Sequence, residues 1–386
     1  MIIEIFVISY AILSFGYLIY RYFFSVTYSI QDFKTNKEYA PSVSIIIPVY
    51  NENSKDLELC IKSACENDYT NKEIIVIDDG SKNEEVWKTI NSLKDKYNFK
   101  AIKFEKNMGK REGMYIGFKE SSGEFLITMD SDSIIVDGNS ICELVSPFVD
   151  RTVGAVSGNI QVLNKNESLM TRIQWARYWL AFNIEKASQS PYSSVTCCSG
   201  PFSAYRKEYL MTYLDEWHNQ TFLGNKCTYG DDRGLTTLML REGYKIKFAK
   251  YAMCLTNVPT ALKQFTKQQI RWKKSFCREN YYLSKFIFKQ NFFMIVEFFW
   301  FWIIFLMGFI AKFIAILFLF SGKANLMGFG LMIIFVAMLH YIYAFFRKPG
   351  IMGYYGMLYG FLNEFWVSWL FWYALFNLND SKWGTR

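Results

Sequence analysis

Four short stretches hold the residue types that could do chemistry together: Ile77-Asp78-Asp79-Gly80-Ser81, Asp130-Ser131-Asp132, Gly230-Asp231-Asp232-Arg233 and Gln268-Gln269-Ile270-Arg271-Trp272. Asp130 and Asp132 follow an apolar run at i and i+2, where a loop can turn both carboxylates toward one hard cation. Mg2+ or Mn2+ takes such oxygen ligands and leaves positions for the phosphates of a nucleotide. Asp78 and Asp79 close an earlier apolar run and can accept hydrogen bonds from a uracil ring or a ribose, and Tyr50 is placed to stack on a base. Asn107-Met108-Gly109-Lys110-Arg111 adds a glycine turn and two adjacent cations suited to a diphosphate.

Asp232 is the candidate general base, taking the proton of an acceptor hydroxyl as that oxygen attacks. Asp231 beside it keeps the site electronegative. Gln268, Arg271 and Trp272 put a polar group, a cation and an indole within about one helical turn. Arg271 can offset charge on a leaving diphosphate, and the indole gives a sugar ring a flat apolar face. Each pattern has an ordinary rival: an Asp-Gly turn, a surface loop, a helix cap ahead of Leu235–Arg241, an interfacial anchor. The order of the four stretches is what raises them above those rivals.

The elements that must position these residues are alternating strands and helices. Ser42–Val49, Lys72–Ile77, Ala101–Phe104 and Glu124–Met129 read as short strands, and Asp56–Asn67 and Glu84–Tyr97 carry helical spacing. That alternation predicts an α/β domain with a mainly parallel sheet and ligands at the carboxyl ends of its strands. Ser168–Ser188 reads as an aromatic helix with Trp175, Tyr178, Trp179 and Phe182, packed on the sheet or a membrane surface. Lys263–Phe288 reads as a basic amphipathic helix at an interface.

Hydrophobic residues make up 51% of the 386, concentrated at the two ends. Met1–Phe24 is long enough, at about 1.5 Å per residue, to cross roughly 30 Å of hydrocarbon, and reads as an uncleaved anchor. Asn291–Phe320 and Leu326–Phe346 are two further spans. Gly353–Leu378, with Glu364 inside it, suits an interfacial or re-entrant element. The organisation expected is an anchor at 1–24, a cytosolic catalytic domain at 25–260, interfacial helices at 261–290, two spans at 291–346 and a re-entrant tail at 347–386. Arg21, Lys34 and Lys37, Lys285 and Lys289, and Arg347 and Lys348 flank the spans and place the central domain in the cytosol of a multi-pass plasma-membrane protein.

The net charge of +8 is scattered and flanks lipid segments, so membrane lipid is the expected partner and nucleic acid is not. Eight cysteines without paired CxxC units, all in the cytosolic segment, predict reduced thiols.

These motifs resemble the processive family 2 glycosyltransferases, which include cellulose, chitin and hyaluronan synthases. The text most like hyaluronan synthase is Cys197-Cys198-Ser199-Gly200-Pro201 with Tyr205-Arg206, Asn219 to Gly224, Gly230 to Arg233, Gln268 to Ser275 and Trp383-Gly384-Thr385-Arg386. The resemblance runs from about Ser42 to Arg386. It implies a GT-A-like nucleotide-sugar fold, with Asp78 and Asp79 on the uridine and Asp130 and Asp132 on the diphosphate and metal. It further implies Asp232 on the acceptor hydroxyl, Trp272 under the acceptor sugar, and Trp383 to Arg386 as a gating loop that brings Arg386 to the diphosphate. Cys198, Ser199, Gly200, Asp231 and Arg233 are expected in the substrate site on the same ground. Relatives often carry two amino-terminal spans where one is seen here, and three spans are few for a channel within one subunit, which leaves a homodimer open.

The activity implied is an inverting, metal-dependent synthase that alternates UDP-N-acetylglucosamine and UDP-glucuronate and extrudes the nascent polysaccharide, hyaluronan. The alternatives are a chitin-oligosaccharide synthase and a capsule synthase using UDP-glucose and UDP-glucuronate. Lys110, Arg111, Arg206 and Arg233 are the cations that could meet a glucuronate carboxylate. A channel or scaffold that has lost catalysis would have damaged acids, yet Asp130, Asp132, Asp232 and Arg271 are present.

Overall fold

The computed structural model describes residues 2–30, 38–348 and 350–380. Among the described residues ten strands occur in chain order: β1 (Val43–Val49), β2 (Lys72–Asp78), β3 (Lys100–Lys103), β4 (Phe125–Thr128), β5 (Ser133–Ile135), β6 (Val153–Val162), β7 (Ser203–Arg206), β8 (Thr221–Phe222), β9 (Asn225–Lys226) and β10 (Lys245–Thr256). Eight form one sheet in the order β3-β2-β1-β4-β7-β6-β10-β5, and β8 and β9 pair as a separate ribbon. β1 lies between β2 and β4 and runs parallel to both, and β2 runs parallel to β3. The expected mainly parallel α/β sheet is therefore present. β1 is buried on both faces because Val43, Ile45, Ile46, Ile47 and Val49 leave no polar edge to expose.

This topology brings the motifs together. Parallel β1, β2 and β4 end on the same side, so Tyr50, Asp79 and Asp130 emerge as neighbours. β7 runs antiparallel to β4 with Ser203 opposite Thr128, which returns the Cys197–Pro201 segment to the end of β4. β10 pairs antiparallel to β5 with Thr256 opposite Ser133, which carries Thr256 to Asp132.

Two helices depart from expectation in ways that bear on the cleft. The helix expected from Leu235 begins at Asp231, after Gly230 in a left-handed conformation with no capping side chain. Asp231 and Asp232 are thus its first two residues and not its caps. The aromatic helix runs as Leu169–Leu180, then widens into a π-turn at Ala181–Lys186. Trp175 and Trp179 pack toward the last helices, while Tyr178 and Phe182 face the cleft.

The terminal apolar stretches form helices Ile2–Ile30, Phe292–Leu319 and Ala324–Arg347. By length and composition the first two are able to cross a membrane. They pack through Trp300, whose indole donates to Leu13 O at 3.1 Å, and through an Arg21–Glu297 ion pair at 2.7 Å. Ile5, Ile8, Ile12, Phe313, Leu317 and Phe335 remain exposed on their outer faces. The stretch from Gly353 is not one span: helix Ile351–Leu362 passes into a π-turn at Asn363–Val367, followed by a short helix Leu370–Phe376. Among the described residues none of the eight cysteines forms a disulfide.

Candidate active site

Asp79 is buried at the end of β2, and its carboxylate accepts from Met108 N at 2.6 Å, Gly109 N at 2.9 Å and Asn107 Nδ2 at 2.8 Å. Burial pushes its carboxyl above the usual range, and the two backbone N–H groups offset part of that push. Gly80 has φ +64°, and a Cβ there would approach Asn107 N to 2.7 Å. The Asp-Asp-Gly turn thus needs glycine to let the 107–109 loop close over Asp79. Asp78, expected on the uridine, is wholly buried; one carboxylate oxygen accepts from Ser81 N at 3.0 Å, and it lies outside the cleft lining.

Lys110 forms an ion pair with Asp130 across the cleft. Burial works against its charge, but Asp130, Asp231 and Asp232 outweigh burial and hold the ammonium above the usual lysine range. Asp132 accepts from Thr256 Oγ1 at 3.2 Å, and Ser131 Oγ donates to Glu52 at 2.7 Å. Gly200 lies between the two acidic motifs. Its N–H donates to Asp232 Oδ2 at 3.3 Å, and a Cβ on it would sit 3.6 Å from Asp130 Oδ1. Asp232 Oδ1 accepts from Arg233 N at 2.8 Å, and the Cys197 thiol lies 3.8 Å from Oδ2. Burial first, then the charge of Asp232, keeps that thiol protonated.

Arg111, expected beside a diphosphate, points the other way. Its guanidinium pairs with Asp231 at 2.7 Å, donates to Trp217 O at 3.1 Å and stacks 4.9 Å from the Trp217 ring, with both members of the pair only 4% exposed. Consecutive residues on a helix diverge by about 100°, so Lys110 faces the cleft while Arg111 enters the core. Cys198 is also fully buried, its N–H donating to Thr236 Oγ1 at 2.8 Å; Cys197 is the cysteine in the cleft. Arg206 is buried too, donating to Phe148 O at 2.7 Å.

The acceptor platform lies on helix Leu262–Ser284. Gly230, at φ +73°, sits against this helix so closely that a Cβ would meet the Ser275 side chain, with Oγ at 2.8 Å. Arg278 Nη2 donates to Tyr229 O at 2.7 Å and fixes the same junction. Gln268, Arg271 and Trp272 line the cleft, where the Gln268 carbonyl is buried with no hydrogen-bond partner among the described residues and Trp272 is 41% exposed.

One cavity of about 1440 Å³ joins these groups. It runs from Tyr50 and Asp79 past Asp130, Asp132, Ser199, Gly200, Asp231, Asp232 and Arg233 to Trp272. It then continues between the apolar helices to Phe305, Lys312 and Glu364. Trp383 and Arg386, with Lys34 and Lys37, lie outside the described residues. Reasoning from the motifs missed Glu52, in the loop after β1, and Arg177, Glu185, Lys273, Lys312 and Glu364, on helices, because isolated charges carry no motif.

Asp130 and Asp132 are the groups that fit a divalent cation. Both are carboxylates on one wall, and Lys110 already supplies positive charge at Asp130. Two carboxylates leave positions open for nucleotide phosphates, and among the described residues no group of three His, Cys, Asp or Glu forms a closed metal cage.

Sheet, strand-end acids and cleft define a GT-A-like nucleotide-sugar domain. The fold is shared with a mannosyltransferase from Pyrobaculum calidifontis, solved in complex with GDP-Man and Mn2+, at a TM-score of 0.65 and 18% identity over 94% of this chain and 99% of that one. Residues 44–214 match Glycosyl transferase family 2 and form a domain of that family. Its relatives include an N-acetylglucosaminyltransferase from Mesorhizobium japonicum, 35% identical over 62% of this chain and 57% of that protein. The corresponding protein of Azorhizobium caulinodans is 36% identical over 62% and 60%, and hyaluronan synthase 3 of Mus musculus is 33% identical over 66% and 54%. The chain spans roughly half to three-fifths of the length of these curated relatives.

Proposed function

We propose that this chain is a membrane-embedded, inverting glycosyltransferase that builds hyaluronan from UDP-N-acetylglucosamine and UDP-glucuronate. The observation that carries the reading is the single cavity in which Asp130 and Asp232 flank Gly200 and which continues past Trp272 between the apolar helices. Tyr50 and Asp79 hold the nucleoside end of the donor. Asp130 and Asp132 would hold Mg2+ or Mn2+, which would supply positive charge for the diphosphate. Lys110 and Arg271 add their own charge on the leaving side. Asp232 takes the acceptor hydroxyl proton as that oxygen bonds to the anomeric carbon and the bond to UDP breaks. One displacement on an α-linked donor gives a β linkage. The catalytic domain faces the cytosol, and the helices at both ends cross the plasma membrane.

A second reading, a chitin-oligosaccharide synthase using UDP-N-acetylglucosamine alone, is favoured by the rhizobial N-acetylglucosaminyltransferases among the relatives. Membranes containing the chain are given each UDP-sugar singly and in pairs with Mg2+ or Mn2+. High-mass, hyaluronidase-sensitive product only from the pair supports the first reading; product from UDP-N-acetylglucosamine alone replaces it with the second. Asp232→Asn is expected to lower incorporation at least about 100-fold while UDP binding persists. Near-normal turnover in that variant would remove Asp232 as the base.

A further inference from the structure

Helix Leu262–Ser284 carries several cations that the site described above does not use, and Lys273 is the one set directly beside the acceptor platform. Lys273 follows Trp272 directly and lines the same cavity. Its surroundings are cationic: Arg177, from helix Leu169–Leu180, and Lys312, from helix Phe292–Leu319, are the charges that repel it. Each of these two has its own carboxylate. Arg177 pairs with Glu185 at 2.9 Å and Lys312 with Glu364 at 2.8 Å. Among the described residues, Lys273 has no ion-pair or hydrogen-bond partner. Both glutamates sit in π-turns, Ala181–Lys186 and Asn363–Val367, local widenings of a helix that frequently mark functional positions.

A half-buried ammonium in a cavity wall, without a counter-charge and beside other cations, is costly, and a carboxylate arriving with a ligand removes that cost. A neutral sugar chain brings none, whereas a uronate does. We propose that Lys273 is a specificity-determining residue that binds the uronate carboxylate of the acceptor chain just beyond Trp272. This rests on the hyaluronan reading and deepens it, since it gives one side chain the task of telling an acidic chain from a neutral one.

The titration of Lys273 agrees with an unpaired site. Burial first, then Arg177 and Lys312, lower its pKa to about 8, with the Cys277 thiol one turn along working the other way. Glu185 and Glu364 are held by their own cations, and Tyr341 and Tyr359 complete this part of the wall. Lys273 therefore loses its charge as pH rises through about 8, and with it the hold on an acidic chain.

The test uses membranes containing the full chain, as wild type, Lys273→Met and Lys273→Arg, with UDP-N-acetylglucosamine and radiolabelled UDP-glucuronate. Lys273→Met is expected to lower glucuronate incorporation relative to UDP-N-acetylglucosamine hydrolysis by about tenfold and to shorten the product; Lys273→Arg restores most of both. Wild-type elongation falls above pH 8 more steeply than that of Lys273→Arg. Lys273→Met also unfolds at a higher temperature than wild type, because a charge repelled by Arg177 and Lys312 is gone; a purely structural lysine would give the opposite shift. Equal product from wild type and Lys273→Met overturns the proposal. A raised KM for UDP-glucuronate with unchanged chain length overturns it in favour of a donor contact. If wild type incorporates no glucuronate at all, the hyaluronan reading itself falls, an outcome distinct from either.

Discussion

At Gly230 two constraints meet on one atom that is absent. The backbone is left-handed there, which costs an L residue about 1–2 kcal/mol, and a Cβ would enter the Ser275 side chain. Gly243 is also left-handed, at φ +81°, but a Cβ there would meet nothing within 4 Å. Gly230→Ala should therefore cost about 2–5 kcal/mol, the backbone share plus about 1–3 kcal/mol of overpacking, and Gly243→Ala only the backbone share. Chemical unfolding in detergent measures both, and equal losses would mean that the approach to Ser275 is not tight. The motif spelling Gly-Asp-Asp was legible as a chemical unit, but its glycine was not legible as a docking point, because the partner, Ser275, is remote in sequence. The same limit applies to Asp78 and Asp79. Adjacent carboxylates at a strand end face opposite ways, and only the path of the 107–109 loop decides that Asp79 borders the cleft.

At the scale of elements, helix Lys110–Lys119 and helix Asp231–Arg241 both begin at the cleft and are tied to each other at its back. Lys110 and Asp232 face the cleft, while Arg111 lies behind it and pairs with Asp231, which is only 4% exposed in the cleft wall. The buried pair thus sets the spacing of the two cleft groups. Sequence pattern read Lys110 and Arg111 only as part of a glycine turn and not as the start of a helix; it found the second helix and its acids, with a cap ahead of Leu235 as the rival reading of Asp231 and Asp232. Pairing with Arg111 pulls Asp231 into the first turn instead. Removing one partner leaves an uncompensated buried charge, so Arg111→Met should destabilise by about 3–5 kcal/mol, and Arg111→Met with Asp231→Leu should recover much of that loss. Thermal unfolding of the two variants decides it. A double variant no better than the single would show that the donation of Arg111 to Trp217 O matters more than the charge pair.

Across the whole molecule, charge is placed where three apolar segments would otherwise meet in hydrocarbon alone. The sheet and its strand-end acids followed from alternating periodicity, and the terminal helices from run length. The break at Asn363–Val367 did not, because hydropathy does not register which side of a helix a single glutamate takes. The π-turn presents Glu364 to Lys312 Nζ at 2.8 Å, close enough for ion pairing though outside hydrogen-bond alignment, and both side chains border the cavity. Charged groups among apolar helices persist when they are paired or face water. Lys312→Met alone strands Glu364 and should destabilise the helical part by on the order of 3 kcal/mol, and Glu364→Leu alone should do the same to Lys312. The double variant restores hydrophobic packing and should unfold near the wild-type temperature in detergent. If the double variant remains as unstable as either single, the pair is held by the cavity's water and not by its own attraction. If instead it folds well but makes shorter product, the pair belongs to the path of the chain, and its charges act on the polymer as Lys273 is proposed to do.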